Sequence, residues 1–493
     1  MYSIQFFQNL FLFSRMCVDR LPFYCYIQRM LLEKSQQMQE ESRQFYKSLF
    51  TIVGPIALQN LISAAVGSAD VIMLGYVGQS AIAAVNLASY IQFILFLFFI
   101  GLSSGVVMLA AQYWGKQDTH SIETIFGIGT KISAGIGLIF AFLAFFFPQL
   151  LMKIFTNDEE LIKIGSVYLK GVSISFFILA FSQIYQAVLK SIERVRTVTV
   201  ITTLALLLDI GLNAVFIFGV FGIPKMGVRG VAIATTISRV IEFLICAIVC
   251  ARVKEIHFRL ETLFRKDAVL LKDFVRYSLP AIGNEAVWGA GWSMYAVIMG
   301  HLGADLVAAN SVVNAVRNLA SVLCFGMAYG GAIILGKQMG ANQMELVERN
   351  ASRLVKSTIF AGALGAVILG LCRPILFRIA DLNEQATYFL TPLLYINCIS
   401  LLGAAINTVL ICGVFRAGGD AKWGFVLDTI SMWAVSVPLG FFCAFVLHLP
   451  PLVVYLIVYL DEWEKMIFNV VHYKRKKWMK NITRNFDAER TES

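Results

Sequence analysis

The segment "PIALQNLISAAVGSADVIMLGYVGQSAIAAVNLA" (residues 55–88) is matched 225 residues later by "PAIGNEAVWGAGWSMYAVIMGHLGADLVAANSVV" (residues 280–313). Without a gap, Pro55 meets Pro280, Gly75 meets Gly300, Gly78 meets Gly303, and Ala83-Ala84 meets Ala308-Ala309. Further along, Gly101 meets Gly326, Gly105 meets Gly330 and Gly115 meets Gly340, so "AQYWGKQD" (111–118) overlays "GKQMGANQ" (336–343). Asn213 falls on Pro438 at the same shift, and Pro148 on Pro374 at a shift of 226. An ungapped match of this extent makes the chain two copies of one plan.

Each copy is built for lipid. Of the 493 residues 58% are hydrophobic, and the mean hydropathy is +0.72. Apolar runs of membrane-crossing length recur from Phe50 to Val471. A hydrocarbon core of about 30 Å needs about 20 helical residues, and backbone in lipid must satisfy its own hydrogen bonds. Period-two alternation in segments of about ten residues, the mark of a barrel strand, is absent. The expected fold class is therefore an all-α polytopic membrane protein. Twelve spans are expected, at 48–76, 80–111, 122–152, 160–190, 197–221, 229–251, 274–300, 305–338, 347–377, 385–414, 422–447 and 451–472. The expected organisation is an N-terminal extension (1–45), a six-helix lobe (46–252), a linker (253–273), a second six-helix lobe (274–472) and a basic tail (473–493). Six spans per half give both halves one orientation, so an axis along the membrane normal relates them. Transporters bind cargo at such repeat interfaces and move the halves against each other.

The net charge of +10 reports topology. Arg252, Lys254, Arg259, Arg265, Lys266, Lys272 and Arg276 crowd the linker, and Lys474, Arg475, Lys476, Lys477 and Lys480 crowd the tail. The turns around Lys190, Arg194 and Arg196, and around Lys337, Arg349 and Arg353, fall on the same side, whereas Gly78-Gln79-Ser80 and His448-Leu449-Pro450-Pro451 carry no Lys or Arg. The positive-inside rule then puts both termini in the cytoplasm of a plasma-membrane protein. No Lys/Arg stripe interleaved with aromatics points to nucleic acid. The nine cysteines form no metal or disulfide pattern. No phosphate-binding Gly-rich lysine loop implies ATP, and the five dispersed histidines make neither a zinc site nor a triad, so no enzyme and no cofactor is expected. Residues 1–45 begin with short apolar pieces cut by Arg15, Asp19 and Arg20, without a signal-peptide pattern. Met30 and Met38 are alternative starts there.

Against this apolar background the embedded charges stand out. From Phe50 to Val77 the sole ionisable carboxylate is Asp70. A carboxylate at membrane depth costs about 3 kcal/mol on insertion scales, so it persists where it binds, pairs or faces a cavity. Asp70 lies in the outer half of its span, and Asp209 and Asn213, four apart, share a helix face. Together they offer hard oxygen ligands to a small cation, or a carboxylate whose burial favours a proton. The structural alternative is a hydrogen bond from Asn213 to Asp70. In the second half Glu285 sits beside Trp288 and Trp292, a combination suited to a lipophilic cation; pairing of Glu285 with Arg317 is the structural alternative. Asp428 is expected to cap its helix or pair with Lys422, and Arg239 to satisfy Glu242. Lys131 and Lys170 are expected to snorkel. Met294 and Met327 are adaptable cavity-lining candidates. Gly101-xxx-Gly105 and Gly326-xxx-Gly330 read as close-packing helix seams.

The first-span pattern, with Pro55 followed fifteen residues later by Asp70 and then "VIMLGYVG", resembles the multidrug and toxic compound extrusion (MATE) family. So do "IFGVFGIPKMGVRGVAIATTISR" (217–239), "FRAGGDAKWG" (415–424) and "LDTISMWAVSVPLG" (427–440), and the resemblance covers roughly residues 45–480. It implies a twelve-helix, two-lobed, V-shaped antiporter that expels cationic lipophilic compounds using a sodium or proton gradient. It places Asp70, Asp209, Asn213 and Thr235 at the coupling-ion site, with the usual Asn-then-Asp order on the fifth span reversed here. It also places Glu285 at the acidic position that one branch uses in the C-terminal lobe. The expected partners are organic cations and the bilayer, with no nucleic acid and a monomeric state. Two rivals are a flippase for lipid-linked oligosaccharide, which would want basic cavity residues such as Arg317, and a non-transporting membrane sensor or scaffold.

Overall fold

The computed structural model describes residues 22–256, 265, 267–379 and 382–484. The opening segment 1–21, most of the linker core (257–264 and 266) and the tail's end (485–493) lie outside the described residues. The chain forms two compact units, residues 1–50 and 51–493. In the first, the described residues are helical, with Gln37 bonded to Glu41 and Gln44 to Glu40 at i,i+4 spacing. The helix of the first span, α1, is thus Pro22–Gly75 rather than a segment beginning near residue 48.

The second unit is an all-helical bundle, with no strand among the described residues. After α1 come α2 (Gln79–Gly115), α3 (Thr119–Phe146), α4 (Pro148–Lys153), α5 (Glu159–Ser191), α6 (Val195–Phe218) and α7 (Val228–Ala251). The second half supplies α8 (Ala268–Leu302), α9 (Ala304–Gly340), α10 (Met344–Leu371), α11 (Arg373–Ile379), α12 (Glu384–Phe415), α13 (Ala421–Val446), α14 (Pro451–Tyr459) and α15 (Asp461–Lys474). Ten of the expected twelve spans contain a helical stretch long and apolar enough to cross a membrane. The other two are α8, which carries Asn284 and Glu285 mid-length, and the α14–α15 pair, which breaks at Leu460. The expected third span, 122–152, also breaks: α3 stops at Phe146 and Pro148, which cannot continue a helix from the preceding turn, starts α4. The expected ninth span, 347–377, divides at Cys372 in the same way, ahead of Pro374. Helices α12 and α13 widen into π-helical turns at Val409–Phe415 and Thr429–Ser436, immediately before Arg416 and immediately after Asp428.

The repeat is visible in the backbone. Gly78 (φ 143°) and Gly303 (φ 136°) turn the chain at matched places, in a region that side-chain-bearing residues avoid. Gln117 and Asn342, also 225 residues apart, are both left-handed. One apolar core lies wholly in the first half, around Leu95, Phe99, Leu169, Val172 and Phe176. Another lies wholly in the second half, around Ile298, Val313, Leu393, Val454 and Tyr455.

The glycine seams join the halves. A methyl group on Gly101 would lie 2.4 Å from the Cα of Ile282, and one on Gly105 would lie 1.9 Å from the hydroxyl of Ser278. The second copy repeats this more loosely: Gly326 and Gly330 face Val53 and Ile52, each at 3.1 Å. Each half therefore lays its second span against the first span of the other. At one end the two central helices cross, where a methyl on Gly115 would lie 1.9 Å from the Lys337 carbonyl and one on Gly340 would lie 1.8 Å from the Gln112 carbonyl.

The described part of the basic tail lies over this crossing. Gln112, wholly buried, donates to the carbonyls of Ala417 (2.7 Å) and Lys480 (3.1 Å) and accepts from the backbone of Ile482 (2.8 Å). Lys116 donates to the Arg484 carbonyl (2.6 Å), Arg484 pairs with Asp273, and Asn481 bonds Asn342 (2.6 Å). Trp478 is 1% exposed beneath the turn that follows α12.

Candidate functional site

Two polar clusters interrupt the apolar cores, one in each half. In the first half, α1 presents Asp70 and α6 presents Asn213, whose amide donates to Asp70 Oδ1 at 2.9 Å. One turn away on the same face of α6 is Asp209, close enough to Asp70 to interact electrostatically and surrounded by Thr235, Ser238 and Arg239 of α7. The hydrogen bond expected between Asn213 and Asp70 is present, and the four sequence-identified residues meet where three helices converge. The cluster has spare capacity: Asp209 Oδ1 and Asn213 Oδ1 are both buried without a hydrogen-bond partner. Orphaned buried oxygens are rare because each forfeits its hydration. Two of them beside the Asp70 carboxylate make a locally electronegative spot with hard-oxygen character. Among the described residues no group of three or more His, Cys, Asp or Glu side chains forms a metal cage. Below the cluster, Arg239 pairs with Glu242 at 2.7 Å, as expected from their spacing, and Glu242 accepts from Gln186 at 2.8 Å.

The second-half cluster differs from expectation in its pairings. Glu285 pairs with Arg416 at 2.9 Å and not with Arg317. Arg416, 2% exposed, also donates to Asn284 Oδ1 (2.7 Å) and to Ser104 Oγ (2.8 Å) on α2 of the other half. Asp428 does not pair with Lys422: it accepts from Asn284 (2.6 Å) and faces Lys465 (3.5 Å). Lys465, 2% exposed, also meets Asp461 (3.1 Å) and Glu462 (3.6 Å), and Tyr295 donates to Asp461 at 3.0 Å. The physical reason for both corrections is the same. Lys422 is at the exposed start of α13, whereas Lys465 and Arg416 are carried inside by the break at Leu460 and by the π-turn before Arg416. Four carboxylates thus share two cations, and the surplus is acidic.

Trp288 and Trp292 pack on each other at 6.0 Å, and Trp292 meets Tyr459 edge-on at 5.9 Å. The cation over this aromatic wall is Arg317, 4.9 Å from the Trp292 ring. Glu285 and the tryptophans therefore serve two different internal cations. Of the methionines, Met327 is 7% exposed and Met294 packs against the second core. Sequence reasoning missed Arg416, Asn284, Asp461, Glu462 and Lys465. The available signal was the spacing of Asp461, Glu462 and Lys465, which puts all three on adjacent turns of one helix.

A family model described as MatE matches residues 55–215 and 291–442. Over 434 residues the chain is 22% identical to "Uncharacterized transporter YisQ" of Bacillus subtilis, covering 88% of this chain and 95% of that one. It is 26% identical over 419 residues to "Probable multidrug resistance protein NorM" of Thermotoga maritima, covering 84% and 89% respectively. A crystal structure of a Vibrio cholerae MATE transporter, VcmN, superposes with a TM-score of 0.80 at 18% identity, covering 89% of this chain and 99% of that one. With its two-copy bundle of twelve spans and its family match across both halves, the chain belongs to the MatE family of multidrug efflux transporters.

Proposed function

We propose that the protein is a secondary active antiporter that exports lipophilic organic cations across the plasma membrane in exchange for sodium ions or protons. The observation that carries this reading is the first-half cluster, in which Asp70, Asp209 and Asn213 converge with two buried oxygens unpartnered. A cation arriving there gains hard-oxygen partners that the protein leaves unused, and Thr235 stands beside Asp209 to complete the set. Protonation of a carboxylate would relieve the same surplus of negative charge, so the residue types admit either ion. Loading the cluster changes the attraction between α1 and α6, and α1 packs through Ile52 and Val53 against α9 of the other half. That contact gives a route by which ion binding reaches the second half, where Glu285, Trp288, Trp292 and Arg317 are the candidate cargo wall. The ion and the cargo then act on one equilibrium between states, and each shifts it by its differential affinity.

Support for cationic cargo comes from the acidic surplus of the second-half cluster and the aromatic wall beside it. Support for cytoplasmic termini comes from the end of the bundle where Arg194 meets Glu255, Lys337 meets Glu193 and the basic tail settles. The protein is taken to act as a monomer, without a cofactor.

The test is efflux of a fluorescent cationic dye from proteoliposomes with sodium and proton gradients imposed separately, in native protein and in Asp70→Asn. Efflux driven by one gradient and lost in the variant identifies the ion and Asp70 as its site. Equal efflux with both gradients collapsed would falsify the antiport reading.

A further inference from the structure

The segment that follows α15 is tied to both halves at once. Its root is fixed in the second half. Trp478 is buried, its carbonyl lies 1.7 Å from where a methyl on Gly418 would stand, and Asn481 donates to Asn342 at 2.6 Å. Residues 480–484 then grip α2 of the first half. The buried Gln112 carboxamide holds their backbone with both its ends: it donates to the Lys480 carbonyl (3.1 Å) and accepts from the Ile482 amide (2.8 Å). The Tyr113 hydroxyl accepts from the Arg484 amide (3.2 Å), and Lys116 donates to the Arg484 carbonyl (2.6 Å). The Arg484 side chain meets Asp273 of α8, with Nη2 at 2.9 Å from Oδ1. A buried carboxamide is costly to leave without partners, so Gln112 makes a defined seat for this segment.

The seat lies where α2 and α9 cross with no room for a methyl on Gly115 or Gly340. Halves that move against each other must part at this crossing for the tail's end of the bundle to open. A segment bonded to both halves cannot then keep all its contacts. Those to α2 are the ones to break. All four run through the backbone of residues 480–484, whereas Trp478 and Asn481 keep the root in the second half.

We propose that residues 480–484 are a strap that holds the two halves closed at the cytoplasmic end, and that each transport cycle breaks its contacts with α2 while its contacts with the second half persist. The cycle rests on the antiporter reading; the closed strap rests on the contacts above. The strap is an internal brake: it favours the state shut at this end, and the energy of the cycle must overcome it.

The experiment is hydrogen–deuterium exchange of the full chain in nanodiscs, read by mass spectrometry over residues 110–118 and 334–342. It is compared with a chain ending at Met479 and with Arg484→Gln. Loss of the four bonds to α2 should speed exchange in both segments by about ten-fold or more in the shortened chain. Arg484→Gln, which gives up the Asp273 pair, should speed it by at least about two-fold, and supplies the comparison if the shortened chain fails to fold. The two apolar cores, read over 169–176 and 393–401, should exchange at the native rate. No rise at the crossing in a folded variant, or an equal rise in the cores, overturns the proposal. Cysteine pairs joined by a short reducible crosslinker in proteoliposomes then test the cycle, each against the same pair before crosslinking and against native protein treated alike. Lys116→Cys with Arg484→Cys ties the strap to α2 and should stop dye efflux until reductant is added. Asn342→Cys with Asn481→Cys ties it to the second half and should leave efflux unchanged. Efflux that continues through the first crosslink, or stops with the second, overturns the proposal. Exchange needs neither gradient nor cargo, so a native protein that moves no dye sinks the antiporter reading and leaves the exchange result to judge the strap.

Discussion

Replacing Arg416 with Met tests whether the buried pair with Glu285 is held by charge. The Arg416 side chain is 2% exposed and donates to Glu285, Asn284 and Ser104. Methionine fills much of the volume but strands the Glu285 carboxylate, itself 9% exposed. Breaking one side of a buried pair costs about 3–5 kcal/mol, most of it the leftover charge. Glu285→Gln removes that leftover charge, so the double variant should retain only the losses at Asn284 Oδ1 and Ser104 Oγ, about 1–2 kcal/mol. Glu285→Gln alone strands the Arg416 guanidinium in turn, so the expected coupling between the two substitutions is at least about 2 kcal/mol, with the double variant more stable than Arg416→Met alone. Reversible unfolding of the purified protein in mixed micelles, titrated with SDS and followed by tryptophan fluorescence, gives the four corners of the cycle. If the two single losses simply add, Glu285 is not an ionised partner of Arg416, and the account of this cluster is wrong.

Other substitutions probe other parts of the argument. Asp70→Asn should fold normally, because its amide oxygen still accepts from Asn213, while gradient-driven dye efflux drops to the level of empty liposomes; undiminished efflux makes Asp70 structural. Gly340→Ala puts a methyl 1.8 Å from the Gln112 carbonyl and should abolish monodisperse protein on size exclusion. Gly54→Ala, in a helix with nothing within 4 Å of the new methyl, should instead be neutral or stabilising by up to about 1 kcal/mol. The Arg194 guanidinium bonds Glu255 and holds its carboxyl below the usual glutamate range. The stabilisation is then present above the unfolded value of about 4.3 and lost as pH falls through the lower folded value. With both side chains about two-fifths exposed the effect is small and salt-screened, so acid should raise hydrogen exchange at 252–256 without lowering global stability.

The fold was legible because it is written twice. Matched prolines and glycines at one fixed shift set the two-half plan, and length and apolarity set the spans. What the glycines touch was not legible. Spacing shows that Gly101 and Gly105 share a small face, but only the three-dimensional packing shows that the face meets α8 of the opposite half. The first-half site was readable for a physical reason: carboxylates alone in an apolar run have few innocent explanations. The second-half pairings were not, because their cations come from places that look ordinary in one dimension. Arg416 sits in a turn motif beside glycines, and Lys465 sits in a polar run, Asp461 to Lys465, inside the expected last span. Helix breaks and π-turns, which depend on tertiary packing, swing both inward.

The tail offers a last consequence, in the order of synthesis. Residues 476–484 hold Gln112, Lys116, Asp273, Asn342 and Glu348, groups drawn from both halves. They leave the ribosome after everything they bind. Until then Gln112 has neither the Lys480 carbonyl nor the Ile482 amide, and Asp273 lacks Arg484. Closure over the crossing of α2 and α9 is thus a late event in the birth of the chain. A product that stops short of Lys480 carries unfinished polar surface at that crossing.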